Sequence, residues 1–296
     1  MPNNQLAAMA ADPEIRKHSN FAALMGRLRK NNAAMLGLII FLVLVLIAVF
    51  SPLIMPYPYD HMDLINAYSP PSAEHWFGTD DLGRDVLSRI MYGGRYSLSI
   101  GIIATGFSVL IGMAIGAVAG YFGGRVDNLI MRFMDIIQAV PGLLLTIAIS
   151  AVLGSGFDKT IMALGLSNIP NYVRIVRASI MSIRKMEYLE AAESINCRNS
   201  RIILHHALPN ALSPVIVQAT MGVANTVLTA ASLSFIGLGV QPPTPEWGAM
   251  LSAGRNFIRD YPHMVIFPGV FIMISVLALN MLGDGLRDAL DPKLKN

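Results

Sequence analysis

The feature that most constrains this chain is a series of long apolar segments with very few charges. The first, Ala33 to Met55, has no charged residue and exceeds the roughly 20 residues that an α-helix needs to cross a bilayer. Only 14% of the 296 residues are charged, whereas a soluble domain has about 25%. The pattern predicts an all-α polytopic membrane protein in contact with a lipid bilayer.

Hydropathy predicts six transmembrane helices. After the first come Leu98–Tyr121, Met134–Leu153, Thr160–Val176, Leu212–Phe235 and Met264–Leu282. A cleaved signal peptide is the alternative for the first segment, but its apolar core would be only about 7–15 residues long. A retained span is therefore favoured.

The fourth predicted span is the least regular of the six because it contains Asn168, Pro170 and Asn171. Polar residues within a span usually face protein or a water-filled path. Both a pathway lining and a broken helix remain open for this segment.

The distribution of Lys and Arg predicts the orientation. Most of the 22 basic residues lie in segments that are internal if the N-terminus is cytoplasmic, as the positive-inside rule requires. Both termini are then cytoplasmic. The division is a cytoplasmic segment 1–32, a first span 33–55, an extracytoplasmic loop 56–96, a five-helix core 97–286 and a cytoplasmic tail 287–296. Within the first segment, Glu14 to Lys30 suits an interfacial amphipathic helix or a plain basic flank.

Several kinds of chemistry are not supported by the sequence. There is no P-loop, H-E-x-x-H or C-x-x-C motif. Cys197 is the only cysteine, so an intrachain disulfide is impossible. Adjacent His205 and His206 point about 100° apart on a helix and form a poor metal site. A net charge of +3 is too small to indicate nucleic-acid binding. We expect no enzyme activity, no bound metal and no cofactor on this chain.

A polar stretch at about 186–210 interrupts the apolar segments. It predicts two short helices joined by a turn at Asn196 to Asn199. Met186, Leu189, Ala192 and Ile195 have near i, i+3 spacing and predict an apolar stripe on the first helix. Asn196 suits a left-handed turn position. An amphipathic helix lying on the membrane surface is the alternative interpretation.

This stretch resembles the EAA loop of ABC-importer permeases, with Glu190-Ala191-Ala192 at the EAA and Leu208-Pro209 at the closing LP. The family usually has Gly where this chain has Asn196. The resemblance implies that the loop docks into a groove on an ATPase subunit. The residues implied in coupling are Glu187, Leu189, Glu190, Ala191, Ala192, Ile195, Asn196, Leu208 and Pro209. Close packing at Ala192 implies that Ala192→Arg would block transport by overfilling the groove.

Three further stretches, Phe77–Asp85, Gln241–Gly248 and Gly283–Pro292, resemble the C-type permease subunit of dipeptide and oligopeptide ABC importers. The resemblance implies a type I ABC-importer permease fold, with 97–286 as its type-1 core, in the bacterial inner (plasma) membrane. It implies a B-type permease, two ATPase subunits that bind ATP and Mg, and an extracytoplasmic peptide-binding protein. Relatives that carry nickel complexes, glutathione or antimicrobial peptides are alternatives, and a secondary transporter is a more distant one.

The outer loops contain further candidates. Thr79 suits a helix N-cap before a short amphipathic helix, and nearby carboxylates suit the positive end of a helix dipole. Trp247 suits an interfacial anchor, and Gly283–Pro292 suits a short polar helix stopped by Pro292. Contacts with an extracytoplasmic partner are expected from Asp80, Asp81, Arg84, Asp85, Glu246 and Trp247.

Overall fold

The computed structural model describes residues 25–290, and the account of the structure refers to that range. These residues fold into helices, which confirms the prediction of an all-α protein. Their bounds are α1 Asn32–Ile54, α2 Val86–Phe122, α3 Gly124–Gln138, α4 Gly142–Leu153, α5 Phe157–Ile183, α6 Glu187–Ser194, α7 Asn199–Phe235, α8 Trp247–Gly254 and α9 His263–Leu290. The predicted interfacial helix at 14–30 lies mostly outside the described residues, as does Pro292.

Four helices are long and apolar enough to cross a membrane by themselves: α1, α2, α7 and α9. The pair α3 and α4 passes the same test only when taken together, and the two helices are bent by 82° where they meet. The described residues therefore provide four or five spans by length and composition. The fourth predicted span, Thr160–Val176, lies within α5, which does not pass this test by itself and includes Asp158, Lys159, Arg174 and Arg177.

The predicted span Met134–Leu153 is wrong as a single helix. α3 ends at Gln138 and α4 begins at Gly142. Pro141 has no amide hydrogen and disfavours helical geometry at Val140, so the chain turns there. Conversely, α5 continues without a break through Pro170, so the broken-helix alternative for that segment is excluded.

The glycines of α2 allow close contact with α5. A Cβ on Gly116 would lie 2.6 Å from the carbonyl oxygen of Val173, and one on Gly120 would lie 2.8 Å from that of Arg177. Gly112 faces Tyr172 in the same way. Small residues let two helix backbones approach each other, so the backbones of α2 and α5 lie in close contact along this stretch.

The start of α1 lies beside the end of α9. Arg27 Nη1 donates to the carbonyl oxygen of Ala289 at 3.3 Å, and Asn31 Nδ2 donates to Asp288 Oδ2 at 3.3 Å. The predicted short polar helix from Gly283 is wrong, because those residues are the last turns of α9. Both described ends of the chain therefore lie at one end of the bundle.

Candidate functional site

Residues 186–210, the connecting segment, follow α5 and comprise α6, a turn and the first residues of α7. α6 begins at Glu187, which confirms the first predicted helix. The second predicted short helix is wrong, because α7 runs from Asn199 to Phe235. Residues Ile202–Ala207 are π-helical and end just before Leu208 and Pro209. In a regular helix the Pro209 ring would clash with the carbonyl of His205, and the wider π turn avoids that clash.

A left-handed residue ends α6, as predicted. Asn196 has a φ of 55°. The amide of Cys197 donates to the carbonyl of Ala192 at 3.1 Å, and the amide of Asn196 donates to that of Glu193 at 2.9 Å. This pair of bonds is a Schellman motif, which usually has Gly at the left-handed position. Asn is the non-glycine residue that tolerates it best, so the turn is well defined without Gly.

The inner face of α6 packs against its own chain. Leu189 is 1% exposed and Ala192 is 8% exposed, in a cluster with residues of α5 and α7 such as Ile180 and Ile202. The predicted groove-filling effect of Ala192→Arg is therefore wrong in its mechanism. An Arg there would disrupt the fold of this chain rather than fill a partner's groove.

The outer face of α6 is open. Glu187, Glu190 and Ala191 are exposed, and Ile195 is 80% exposed. The four residues of the predicted apolar stripe do not share one face: Leu189 and Ala192 are buried, whereas Met186 and Ile195 are exposed. Met186 and Ile195 are the cap residues of α6 and do not follow its helical period. The described residues therefore leave these apolar side chains uncovered.

A side chain that sequence reasoning missed joins the connecting segment to α2. The hydroxyl oxygen of Tyr121 lies 3.0 Å from Glu193 Oε1 and 3.2 Å from Asn199 Oδ1. Its single proton serves one acceptor at a time. The partners are 72 and 78 residues away along the chain, so no local pattern could have indicated them. The connecting segment is thus bonded to α2 and packed on α5 and α7.

The expectation of partner contacts in the outer loops is not supported, because most of those residues are buried within the chain. Only Asp81 has a partly exposed side chain, at 33%. The buried residues are Asp80, Arg84, Asp85, Glu246 and Trp247. Their charges and hydrogen-bonding groups find partners inside the chain.

The first buried group forms an ion-pair network at the start of α2. Asp80 Oδ2 lies 2.7 Å from Arg84 Nε and 3.3 Å from Arg89 Nε. Asp85, and not Thr79, is the N-cap of α2, and it accepts from the amide of Ser88 at 2.7 Å. Within residues 25–290 no group of His, Cys, Asp or Glu side chains could hold a metal ion.

The second buried group joins α8 to α2. Glu246 accepts from the amides of Gly248 and Ala249 at 3.0 and 2.9 Å, and from the hydroxyl of Ser97 at 3.1 Å. Burial raises the pKa of the Glu246 carboxyl, and these donors partly offset that effect. Trp247 Nε1 donates to the carbonyl of Ile90 at 2.9 Å. The predicted role of Trp247 as an interfacial anchor is wrong, because its ring is buried.

The sequence matches two known protein families over different parts of the chain. The family "Binding-protein-dependent transport system inner membrane component" matches residues 112–296, and the "N-terminal TM domain of oligopeptide transport permease C" matches residues 19–71. The chain belongs to the binding-protein-dependent transport permease family. It is a multi-pass inner-membrane permease subunit, and members of this family are not catalytic enzymes by themselves.

Similar permeases cover almost the whole chain. The dipeptide transport system permease protein DppC of Alkalihalophilus pseudofirmus is 49% identical over 91% of this chain and 89% of its own length. The oligopeptide permease OppC of Bacillus subtilis is 42% identical over 92% and 89%. The glutathione permease GsiD of Escherichia coli is 44% identical over 91% and 89%.

Two solved structures share the fold. The inward-facing MetNI methionine ABC transporter gives a TM-score of 0.57 at 18% identity, covering 69% of this chain and 97% of that chain. An amino acid ABC transporter crystallised with histidines gives 0.52 at 16% identity, covering 68% and 94%. The permease therefore has the fold of ABC-importer membrane subunits.

Proposed function

We propose that this permease is the C-type subunit of an ATP-driven importer that carries dipeptides or oligopeptides across the inner membrane. The observation that carries the proposal is the arrangement of the connecting segment. Its outer face exposes Ala191 and Ile195, and its inner face is attached to three long helices. The peptide substrate is supported by the dipeptide and oligopeptide relatives. Glutathione, itself a short peptide, is the second candidate because GsiD has similar identity.

The proposed topology has six spans, with α5 and the α3–α4 pair each crossing once and both termini cytoplasmic. The prevalence of basic residues in the inner segments supports this orientation. Met186 and Tyr188 line a cavity together with Arg287 and Leu290 of α9. The connecting segment and both described ends of the chain therefore share the proposed cytoplasmic side.

The proposed mechanism is mechanical coupling. ATP and Mg bind two ATPase subunits, whose closure moves the groove that holds α6. Because Leu189 is buried among α5 and α7 and Tyr121 bonds the segment to α2, α6 moves these helices with it. A B-type permease completes the path between the two membrane subunits. An extracytoplasmic binding protein delivers the peptide from the opposite side.

Substitution of Ala191 tests the coupling proposal. Ala191 is exposed beside buried Ala192, so Ala191→Arg enlarges the docking face without entering this chain's core. We expect ATPase subunits to be lost from the complex purified in mild detergent, together with at least a tenfold fall in vanadate-sensitive ATPase activity. Ala191→Ser, which adds one oxygen, is the matched control and should retain both. Full activity in Ala191→Arg would contradict docking through this face.

A further inference from the structure

A polar cavity lies at the bend between α3 and α4, where these helices meet α5 and α7. It has a volume of about 390 Å³. Its polar lining side chains are uncharged: Gln138, Thr146, Ser167, Asn168, Asn171 and Thr229. We call it the elbow cavity. No charged side chain lines it.

The hydrogen bonds already made leave donors and acceptors available. Gln138 Nε2 donates to Asn171 Oδ1 at 2.8 Å, and Asn168 Nδ2 donates to the carbonyl of Leu164 at 3.0 Å. Among residues 25–290, Gln138 Oε1, Asn168 Oδ1 and Asn171 Nδ2 have no protein partner. The cavity therefore offers both acceptors and a donor to a ligand.

The nearest charges on α3 and α5 neutralise one another. Asp135 pairs with Arg174 at 2.6 Å, one helical turn from the Gln138–Asn171 bond. Asp127 pairs with Arg177 further along the same two helices. The electrostatic environment of the elbow cavity is therefore close to neutral.

The break between α3 and α4 also indicates that this part of the chain lines a water-filled path. Irregular backbone is tolerated at membrane depth only where it is buried in protein or lines a water-filled cavity. Residues 139–141 form the bend, and Val140 and Pro141 both line the elbow cavity. They are exposed in this single chain, so the other described residues do not bury the bend.

We propose that the elbow cavity binds the backbone of the transported peptide. Each peptide unit presents one N–H donor and one carbonyl acceptor, and the free amide groups of the cavity complement both. With no charged lining residue, the cavity does not select among peptide side chains by charge. This inference rests on the proposed function, because it assigns a site on the permease to that importer's substrate.

Filling the cavity tests the site. Thr229 and Thr220 lie on α7, and each hydroxyl donates to the carbonyl four residues earlier, at 2.8 and 3.0 Å. Nine residues separate them, which places them about 180° apart around the helix. Thr229→Trp therefore fills the elbow cavity, while Thr220→Trp is the matched control on the opposite face.

The assay uses the full complex reconstituted in proteoliposomes with radiolabelled dialanine and trialanine. We expect Thr229→Trp to lower uptake at least tenfold, with ATPase stimulation by the loaded binding protein within twofold of the unchanged complex. Thr220→Trp should retain both activities. Uptake by Thr229→Trp within twofold of the unchanged complex would overturn the proposed site.

A cysteine variant that is modified only after assembly separates blocking of the cavity from a folding defect. Thr229→Cys is assembled first and then treated with a cationic methanethiosulfonate reagent, and the unchanged complex, which keeps Cys197, receives the same treatment. We expect labelling at position 229 and loss of uptake after labelling only. Failure to label, or labelling without loss, overturns the site. An unchanged complex without ATP-dependent peptide uptake would instead contradict the proposed function itself.

Discussion

Glu246 is a single residue that joins a local turn to a distant helix. Its carboxylate caps α8 through two backbone amides and also accepts from Ser97 of α2, 149 residues earlier. A buried carboxylate is costly unless its oxygens are hydrogen-bonded. The two amide bonds therefore stabilise the cap, and the bond from Ser97 stabilises the contact between the two helices.

We predict that Glu246→Gln destabilises the permease by about 1–3 kcal/mol, because the new amide group would face the backbone amide of Ala249 and leave buried donors unsatisfied. Thermal unfolding in detergent measures the effect. Glu74→Gln is the matched control, since Glu74 is exposed. An unchanged melting temperature for Glu246→Gln would show that the carboxylate is not needed for the cap.

Residue patterns predicted the local backbone conformation better than they predicted which groups each side chain contacts. The left-handed conformation at Asn196 followed from its side chain and position. The burial of Asp80, Arg84 and Trp247 did not, because charged and aromatic residues in a loop look the same whether their partners lie within the chain or on another protein. Asp80 pairs locally with Arg84, but its pair with Arg89 forms only when the loop lies against the first turns of α2.

Among elements, the apolar length of the long helices was readable directly from the sequence. The bend at Pro141 was missed because hydropathy averages over a window and does not register one breaker between two apolar halves. The continuation of α7 through Pro209 was missed because the short polar helix and the apolar span from Leu212 were predicted as separate elements. They form one helix, and a π turn accommodates Pro209 within it.

The contact between α2 and α5 provides a prediction at this scale. Gly116→Ala places a Cβ 2.6 Å from the carbonyl oxygen of Val173 and 2.9 Å from Val176 Cβ, so the two backbones must separate. We expect a loss of about 1–3 kcal/mol, as is typical of overpacking, seen as a lower melting temperature.

Gly106→Ala is the control for that prediction, because a Cβ on Gly106 of the same helix meets nothing within 4 Å. It should be neutral or slightly stabilising, since Ala favours a helix over Gly by roughly 0.5–1 kcal/mol. Equal melting temperatures for the two variants would contradict the role of the glycines in packing α2 on α5.

At the scale of the whole molecule, the connecting segment and the elbow cavity lie on the same two helices. α5 and α7 provide Ile180 and Ile202 to the buried side of α6, and they provide Asn168 and Thr229 to the cavity. A displacement of α6 therefore acts on the cavity walls through two continuous helices. We propose that these two helices couple ATP hydrolysis on the partner subunits to the position of the peptide.

The most direct test of the central claim is ATP-dependent uptake of a radiolabelled dipeptide by the purified complex in proteoliposomes. We expect uptake that requires ATP, the binding protein and this permease, and that vanadate abolishes. We expect no uptake when an ion gradient replaces ATP. Uptake driven by the gradient without ATP would contradict the account and would favour a secondary transporter.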